Sequence, residues 1–224
     1  MDLDELYKSN ADIAYLTPSN QFPTGALMPT KKRLEFLKWA NNNKYIIEDD
    51  YNSEFHLNTI PTKSLQGLDN NERVIYLSTF SRTLAPSIRI SYMILPNHLM
   101  KIYNKLFTLF TCPVSRIEQH TLEIFIKNGY YSRHLNRVIN IYKKKHDIVI
   151  KYLKKKNIKI IKDANLHLLI ESNFKIRENA YKNKLKISLL KDFYYTPTND
   201  DILILGYAGI KMEDLEMALN LIFK

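Results

Sequence analysis

The sequence predicts an α/β fold: a mostly parallel sheet with flanking helices, followed by a small C-terminal α+β domain. Three observations predict it. Short apolar runs at 13–17, 45–47, 74–77 and 90–95 are separated by a helical repeat and by loops, the rhythm of a covered sheet. The first three runs each lead into a polar cluster, at 19–24, 48–51 and 78–82. In open α/β sheets ligands collect beyond the carboxyl ends of the strands, so the coincidence says more than any one cluster. Behind a long helix, strands and helices alternate again over the last third of the chain.

In order, the run at 13–17 reads as a strand and 18–25 as a turn broken by Pro18, Asn20, Pro23 and Gly25. A helix beginning at Thr30 carries Leu34, Leu37 and Trp39, and the three asparagines at 41–43 stop it. Strand 45–47 runs directly into Glu48, Asp49 and Asp50, whose burial is costly unless each finds a partner. Residues 52–71 read as a long irregular segment before strands 74–77 and 90–95. Leu99, Ile102, Tyr103, Leu106, Phe107 and Phe110 recur at helical spacing. Ser115 with Glu118 forms a capping box, and Gly129 ends that helix. A long helix from Ser132 carries Leu135, Val138, Ile139, Tyr142, Val149 and Tyr152 on one stripe, with Lys143–Lys145 and Lys154–Lys156 on a solvated face. Strands at 158–161, 166–170 and 202–205, a short one at Ile187, a helix over 176–182 and a final helix through Met212, Leu215, Leu219 and Ile222 complete the small domain. The expected division is 1–112, the sheet domain; 113–156, connecting helices; and 157–224, the small domain.

Composition narrows the function. With 224 residues, 45% of them hydrophobic, the chain can bury a real core. Five glycines argue against a glycine-rich dinucleotide or P-loop fold, and the single cysteine, Cys112, excludes an internal disulfide. The acidic N-terminus lacks a signal-peptide pattern and no apolar run approaches the roughly 20 residues of a membrane span, so a cytoplasmic protein is expected. The net charge of +10 raises nucleic acid as a partner. The lysines, however, are spread along helices with no aromatic-laced stripe or helix-turn-helix, and direct nucleic-acid binding is not expected. The six histidines show no metal-ligand spacing, and no G-x-S-x-G, H-E-x-x-H or Walker sequence is present.

The stretch 76–92 is the informative one. Ser78, Thr79, Ser81, Arg82, Thr83, Ser87 and Arg89 sit between a buried strand at 74–77 and a second apolar run at 90–95. Hydroxyls and guanidinium groups at a strand mouth suit a phosphate or a carboxylate, because hydroxyls donate singly and arginine donates two bonds in parallel. From these residues alone, a polar strand-to-strand turn is an equally good reading.

Several ordered stretches carry a resemblance: Thr17 to Gly25 (TPSNQFPTG), Ile46 to Phe55 (IIEDDYNSEF), Leu65 to Leu68 (LQGL) and Tyr76 to Tyr92 (YLSTFSRTLAPSIRISY). Glu118-Gln119, Arg133-His134, Arg137, Tyr142 and Leu166-His167-Leu168 extend it. Together they resemble the aminotransferase-like domain of MocR/GabR-type transcription regulators of the GntR family, which looks like the fold-type-I pyridoxal-phosphate (PLP) enzymes. The resemblance implies a partial fold-type-I large domain plus the small α+β domain. It implies that Asp49 pairs with the pyridine nitrogen of PLP and that Tyr51 donates to the ring's phenolic oxygen. Thr79, Ser81 and Arg89 would hold the phosphate, with Phe22 to Gly25 lining the same mouth.

The chain departs from that pattern at telling places. Arg82 stands where the family has its Schiff-base lysine, and a guanidinium stays protonated and offers no free amine. The strand at 202–207 has no arginine for a substrate carboxylate; Arg177 and Lys211 are the substitutes at hand. Asn20 stands where His is common and Asn165 where Gly is common, and asparagine tolerates the left-handed backbone. The chain also starts where the family's domain is already under way, without the winged helix or the early strands. The expectation is therefore a PLP-binding effector domain, or a fragment of one, from a MocR/GntR-type transcription regulator. PLP would be held non-covalently by a chain that has lost transamination. A small amine or amino acid is the expected effector, and a homodimer is expected in the full-length family. The alternatives are a working PLP-dependent aminotransferase and an inactive truncated remnant.

Overall fold

The computed structural model of the protein describes residues 2–41, 43–57, 61–196, 198 and 200–224. The chain divides into two units, one of Met1–Asn20, Leu27–Glu54 and Ile60–Asn136, the other of Gln21–Ala26, Phe55–Thr59 and Arg137–Lys224.

The first unit is built on a four-stranded sheet of β1 (Ile13–Leu16), β2 (Tyr45–Asp49), β3 (Val74–Thr79) and β4 (Ser91–Ile94), in that order. β1 and β3 both run parallel to β2, while β4 returns antiparallel to β3 with Thr79 opposite Ser91. The parallel set puts the carboxyl ends of β1, β2 and β3 at one edge, and the polar residues that follow β2 and β3 meet there. The expected α/β class, with a mostly parallel sheet and flanking helices, is what forms.

Helix α1 (Leu3–Lys8) is capped by Asp2, whose side chain accepts from the Asp4 and Glu5 amides. α2 (Thr30–Ala40) presents Phe36, Leu37, Trp39 and Ala40 to Ala14, Leu16, Ile46 and Val74 of the sheet. Burying one such large apolar side chain contributes about 1.5–3 kcal/mol. Of the asparagines expected to stop α2, Asn41 is its C-cap, and Asn42 lies outside the described residues. The segment expected to be irregular from 52 to 71 holds a one-turn helix, α3 (Leu65–Leu68), capped by Ser64; residues 58–60 of that segment lie outside the described ones.

α4 (Asn97–Leu106) and α5 (Arg116–Lys127) follow, and the expected Ser115–Glu118 capping box is present. Neither helix has a buried residue, and Leu109, Phe110 and Ile117 are 92%, 70% and 80% exposed. α6 (Tyr130–Lys155) begins two residues before the expected start at Ser132; its first residues belong to this unit and the remainder to the other.

The second unit carries an antiparallel sheet of β5 (Ile160–Asp163), β6 (His167–Glu171), β8 (Ile202–Gly206) and β7 (Ser188–Leu189), in that spatial order. α7 (Phe174–Lys182) and α8 (Leu215–Phe223) cover it, and Val149 and Leu153 of α6 pack with Leu168, Ile170, Leu203, Leu205 and Leu215 in its core. β5 lies two residues later than expected, and β7 starts at Ser188 rather than including Ile187. The lysine face of α6 needs one correction: Lys145 is buried and donates to the Ala208 carbonyl at 2.8 Å. An ammonium on a long stem reaches a carbonyl that periodicity cannot foresee. Among the described residues no helix is long and apolar enough to cross a membrane.

Candidate functional site

Beyond the ends of β2 and β3 lies a cleft of about 650 Å³ lined by Asp49, Tyr51, Ser78, Thr79, Ser81, Arg82, Arg89 and Tyr92, among others. Every residue singled out from the sequence as catalytic or cofactor-binding lies on it: Asp49, Tyr51, Thr79, Ser81, Arg82 and Arg89. The stretch at 22–25 belongs to the second unit. There Phe22 packs edge-on against His167 and Phe193, and the Pro23 carbonyl lies 2.8 Å from His167 Nε2.

The three acids after β2 have three different environments. Glu48 is fully buried, 3.7 Å from Arg33 Nη1, and accepts the Leu65 and Gln66 amides at 2.9 Å each. It therefore caps α3 from inside the core. Burial holds its carboxyl above the ordinary range despite those two amides. Asp50 is buried and accepts the Tyr76 hydroxyl at 2.8 Å, while its backbone carbonyl accepts Ser78 Oγ at 2.7 Å. Burial first, and that bond second, push the Tyr76 phenol up. Asp49 alone lines the cleft, and the Tyr15 hydroxyl donates to it. That bond, with burial, pushes the Tyr15 phenol up to about 12.

The loop from 80 to 90 is tied down along its length. Thr79 Oγ1 donates to the Ile90 carbonyl at 3.1 Å and accepts the Ser81 amide at 3.1 Å, closing the neck between β3 and β4. Phe80 packs between Tyr92 and Tyr131, at centroid distances of 5.2 and 5.8 Å. Thr83 is buried; its hydroxyl accepts from Tyr131 at 3.2 Å, and His134 Nε2 lies 2.9 Å from its carbonyl. Arg89 sits in the left-handed region at φ +50°, with Nη1 3.5 Å from Ser81 Oγ. A non-glycine residue held there is the kind of local strain that clusters at functional sites. Arg82 lies over the Tyr51 ring at 5.6 Å, and the Tyr51 hydroxyl donates to the Asn20 carbonyl at 2.8 Å.

Arg33 and Tyr131 were missed by sequence reasoning as supports of this region, and Thr83 and His134, named there as a loop hydroxyl and as part of the resemblance, prove to be supports as well. Arg33 is 1% exposed and donates to the carbonyls of Pro18, Met28 and Lys63. The available signals were weak: an arginine on the apolar face of α2, and the Arg133-His134 pair at the start of the long helix. In the second unit Asn165 has φ +66°, so the left-handed turn forms without glycine. Arg177 is paired with Asp201 at 2.7 Å, and Lys211 lies near Glu213 at 3.9 Å. Among the described residues no group of three His, Cys, Asp or Glu side chains is placed to hold a metal ion.

The fold is that of the PLP-dependent aminotransferases. It superposes with a TM-score of 0.78 on LysN, the α-aminoadipate aminotransferase of Thermus thermophilus complexed with N-(5'-phosphopyridoxyl)-L-leucine, over 98% of this chain and 60% of that one. Sequence identity there is 23%, so this likeness shows the fold alone. Homologues by sequence include HTH-type transcriptional regulators of the MocR/PdxR type, of which the chain covers the aminotransferase-like part, and an aromatic-amino-acid aminotransferase of Thermococcus litoralis, 32% identical over 157 residues. It is 37% identical over 227 residues to the uncharacterized HTH-type transcriptional regulator YhdI of Bacillus subtilis, covering 97% of this chain and 48% of that protein. It is 28% identical over 229 residues to the probable rhizopine catabolism regulatory protein MocR of Rhizobium meliloti, covering 97% and 46%. The chain thus spans about half the length of these curated relatives. No family model matches it.

Proposed function

We propose that this chain is the ligand-sensing, aminotransferase-like part of a transcription regulator and that its cleft holds PLP without a covalent bond. The residues present fit that group. Ser81 and Arg89 stand together at the neck of the loop as hydroxyl and guanidinium donors for a phosphate, and Thr79, whose hydroxyl proton goes to the Ile90 carbonyl, lines the same end and holds that neck closed. Asp49 is the carboxylate that would hold a ring nitrogen protonated, and Tyr51 is the hydroxyl for the ring's phenolic oxygen. When bound, PLP supplies an electron sink.

The observation that carries the non-covalent reading is Arg82 on the cleft wall. Its guanidinium remains protonated and its lone pairs are delocalised, so it neither attacks an aldehyde nor carries a proton to and fro. What remains is binding, which suits a domain that reports a ligand rather than converts one. An amine or amino-acid effector and a homodimeric full-length protein accompany this reading.

The test is direct. PLP bound to the purified chain is expected to leave on dialysis, and borohydride treatment is expected to leave no added mass on the peptide containing residue 82. Replacement R82K is expected to give a borohydride-stable adduct on that peptide. An adduct at Arg82 in the wild type, or amino-group exchange by the purified chain alone, would overturn the proposal.

A further inference from the structure

The cleft carries a second guanidinium that stands apart from its hydroxyl–guanidinium end. Its lining includes one carboxylate, Asp49, and two guanidiniums, Arg82 and Arg89. Asp49 already accepts the Tyr15 hydroxyl, and neither arginine has a carboxylate partner among the described residues. Arg89 is turned to the Ser81 hydroxyl, next to the Thr79 bond that closes the loop neck, which makes a hydroxyl–guanidinium pair of the sort that grips phosphate. Arg82 is different. It rests over the Tyr51 ring at 5.6 Å and makes no hydrogen bond or ion pair among the described residues. Its planar fork of N–H donors lies on the cleft wall, exposed and unused among the described residues.

We infer that Arg82 is a specificity-determining residue that grips a carboxylate. The cleft is then selective for phosphopyridoxyl compounds that carry a carboxylate as well as the phosphate, above all a phosphopyridoxyl–amino acid conjugate taken up ready-made. The inference rests on the phosphopyridoxyl reading of the cleft and deepens it. The phosphate consumes the Ser81–Arg89 end. A protonated ring nitrogen and Asp49 cancel. Arg82, over the Tyr51 ring rather than beside Ser81, has no hydrogen-bond partner for its fork among the described residues, and a carboxylate is a group whose two oxygens match that fork. A ligand ending in an amine places a cation or nothing opposite Arg82 and gains no such pair. The residue that removes the chemistry thereby supplies a recognition element for an amino acid already joined to the cofactor.

The decisive comparison uses two stable conjugates that differ in one group: N-(5'-phosphopyridoxyl)-L-leucine, the compound seen in the Thermus thermophilus structure, and the same conjugate made from 3-methylbutylamine, which lacks the carboxylate. Binding to the purified chain is read by pyridine fluorescence, with inorganic phosphate as competitor. The wild type is expected to bind the leucine conjugate at least tenfold more tightly. R82Q is expected to bring the ratio near one, and R82K, which keeps a point charge without the fork, to leave a reduced preference. Equal affinities in the wild type, or an unchanged ratio in R82Q, would overturn the assignment of Arg82 while leaving the phosphopyridoxyl reading standing. If neither conjugate outcompetes inorganic phosphate, that reading falls as well. A ratio of affinities isolates the carboxylate, because a merely structural role for Arg82 would weaken both ligands alike.

Discussion

Replacing Arg33 with methionine tests how the cleft's main strand is held. Arg33 is 1% exposed, donates to three backbone carbonyls at 3.0–3.1 Å and lies 3.7 Å from the fully buried Glu48. Methionine fills much of the same volume, so the loss is electrostatic rather than a cavity. It leaves a buried carboxylate without its cation and three carbonyls without donors. Breaking a buried pair from one side costs about 3–5 kcal/mol. The loss should be read from urea unfolding followed by circular dichroism. Burial raises the Glu48 carboxyl, against the Gln66 and Leu65 amides and Arg33. A raised carboxyl binds its proton more tightly in the folded chain, so stability falls as pH rises from the ordinary glutamate value through the folded one. Removing Arg33 widens that window upward. The deficit of R33M is therefore largest at neutral pH and narrows toward the ordinary glutamate range. The double variant R33M/E48Q should cost less than the two single changes added together. A loss under about 1 kcal/mol, the worth of an ordinary hydrogen bond, or strictly additive changes would refute the claim that this pair holds the strand in place.

In the second unit, His146 lies 2.8 Å from Asp163, and that bond, against burial, raises its imidazole above the ordinary range. Stability from this pair is present below the ordinary histidine value and is lost as pH rises through the folded one; an NMR titration should show the His146 midpoint falling in D163N. Gly25 has φ +64°, and a Cβ there would lie 2.3 Å from Ala164 Cβ. G25A should therefore cost at least the roughly 1–2 kcal/mol of a left-handed residue, and adding A164G should recover the clash but not the backbone strain. Y131F removes the 3.2 Å bond to Thr83 and should cost about 1 kcal/mol in urea unfolding.

The cleft was legible in the sequence because its residues follow strands. The runs ending near 16, 49 and 79 are parallel or nearly consecutive, so whatever follows them meets at one edge. That rule pointed to the residues after 49 and 79, and the family resemblance singled out Asp49, Thr79, Ser81, Arg82 and Arg89 among them. The supports were illegible for the opposite reason. Arg33 reaches carbonyls at 18, 28 and 63, and His134 reaches Thr83 across some fifty positions. Nothing in local pattern marks a charged side chain as buried when its partners are backbone oxygens far along the chain. The same limit governs α4. Its periodicity correctly predicted a helix, yet periodicity tells only which face is apolar and not how far that face is covered; here none of its residues is buried.

The acids at 48–50 show why the middle one is left for the cleft. Side chains along a strand alternate between faces, so Glu48 and Asp50 share a side with Ile46, and all three are buried. Each of those two acids is then committed, Glu48 to Arg33 and the start of α3, Asp50 to Tyr76. Asp49 falls on the other side, where the cleft opens, and among the described residues it meets the Tyr15 hydroxyl. A cationic ring nitrogen is a stronger partner for a carboxylate than a neutral phenol is. The arrangement thus leaves Asp49 facing the cleft with the Tyr15 hydroxyl on it, while its two neighbours hold the strand on either side.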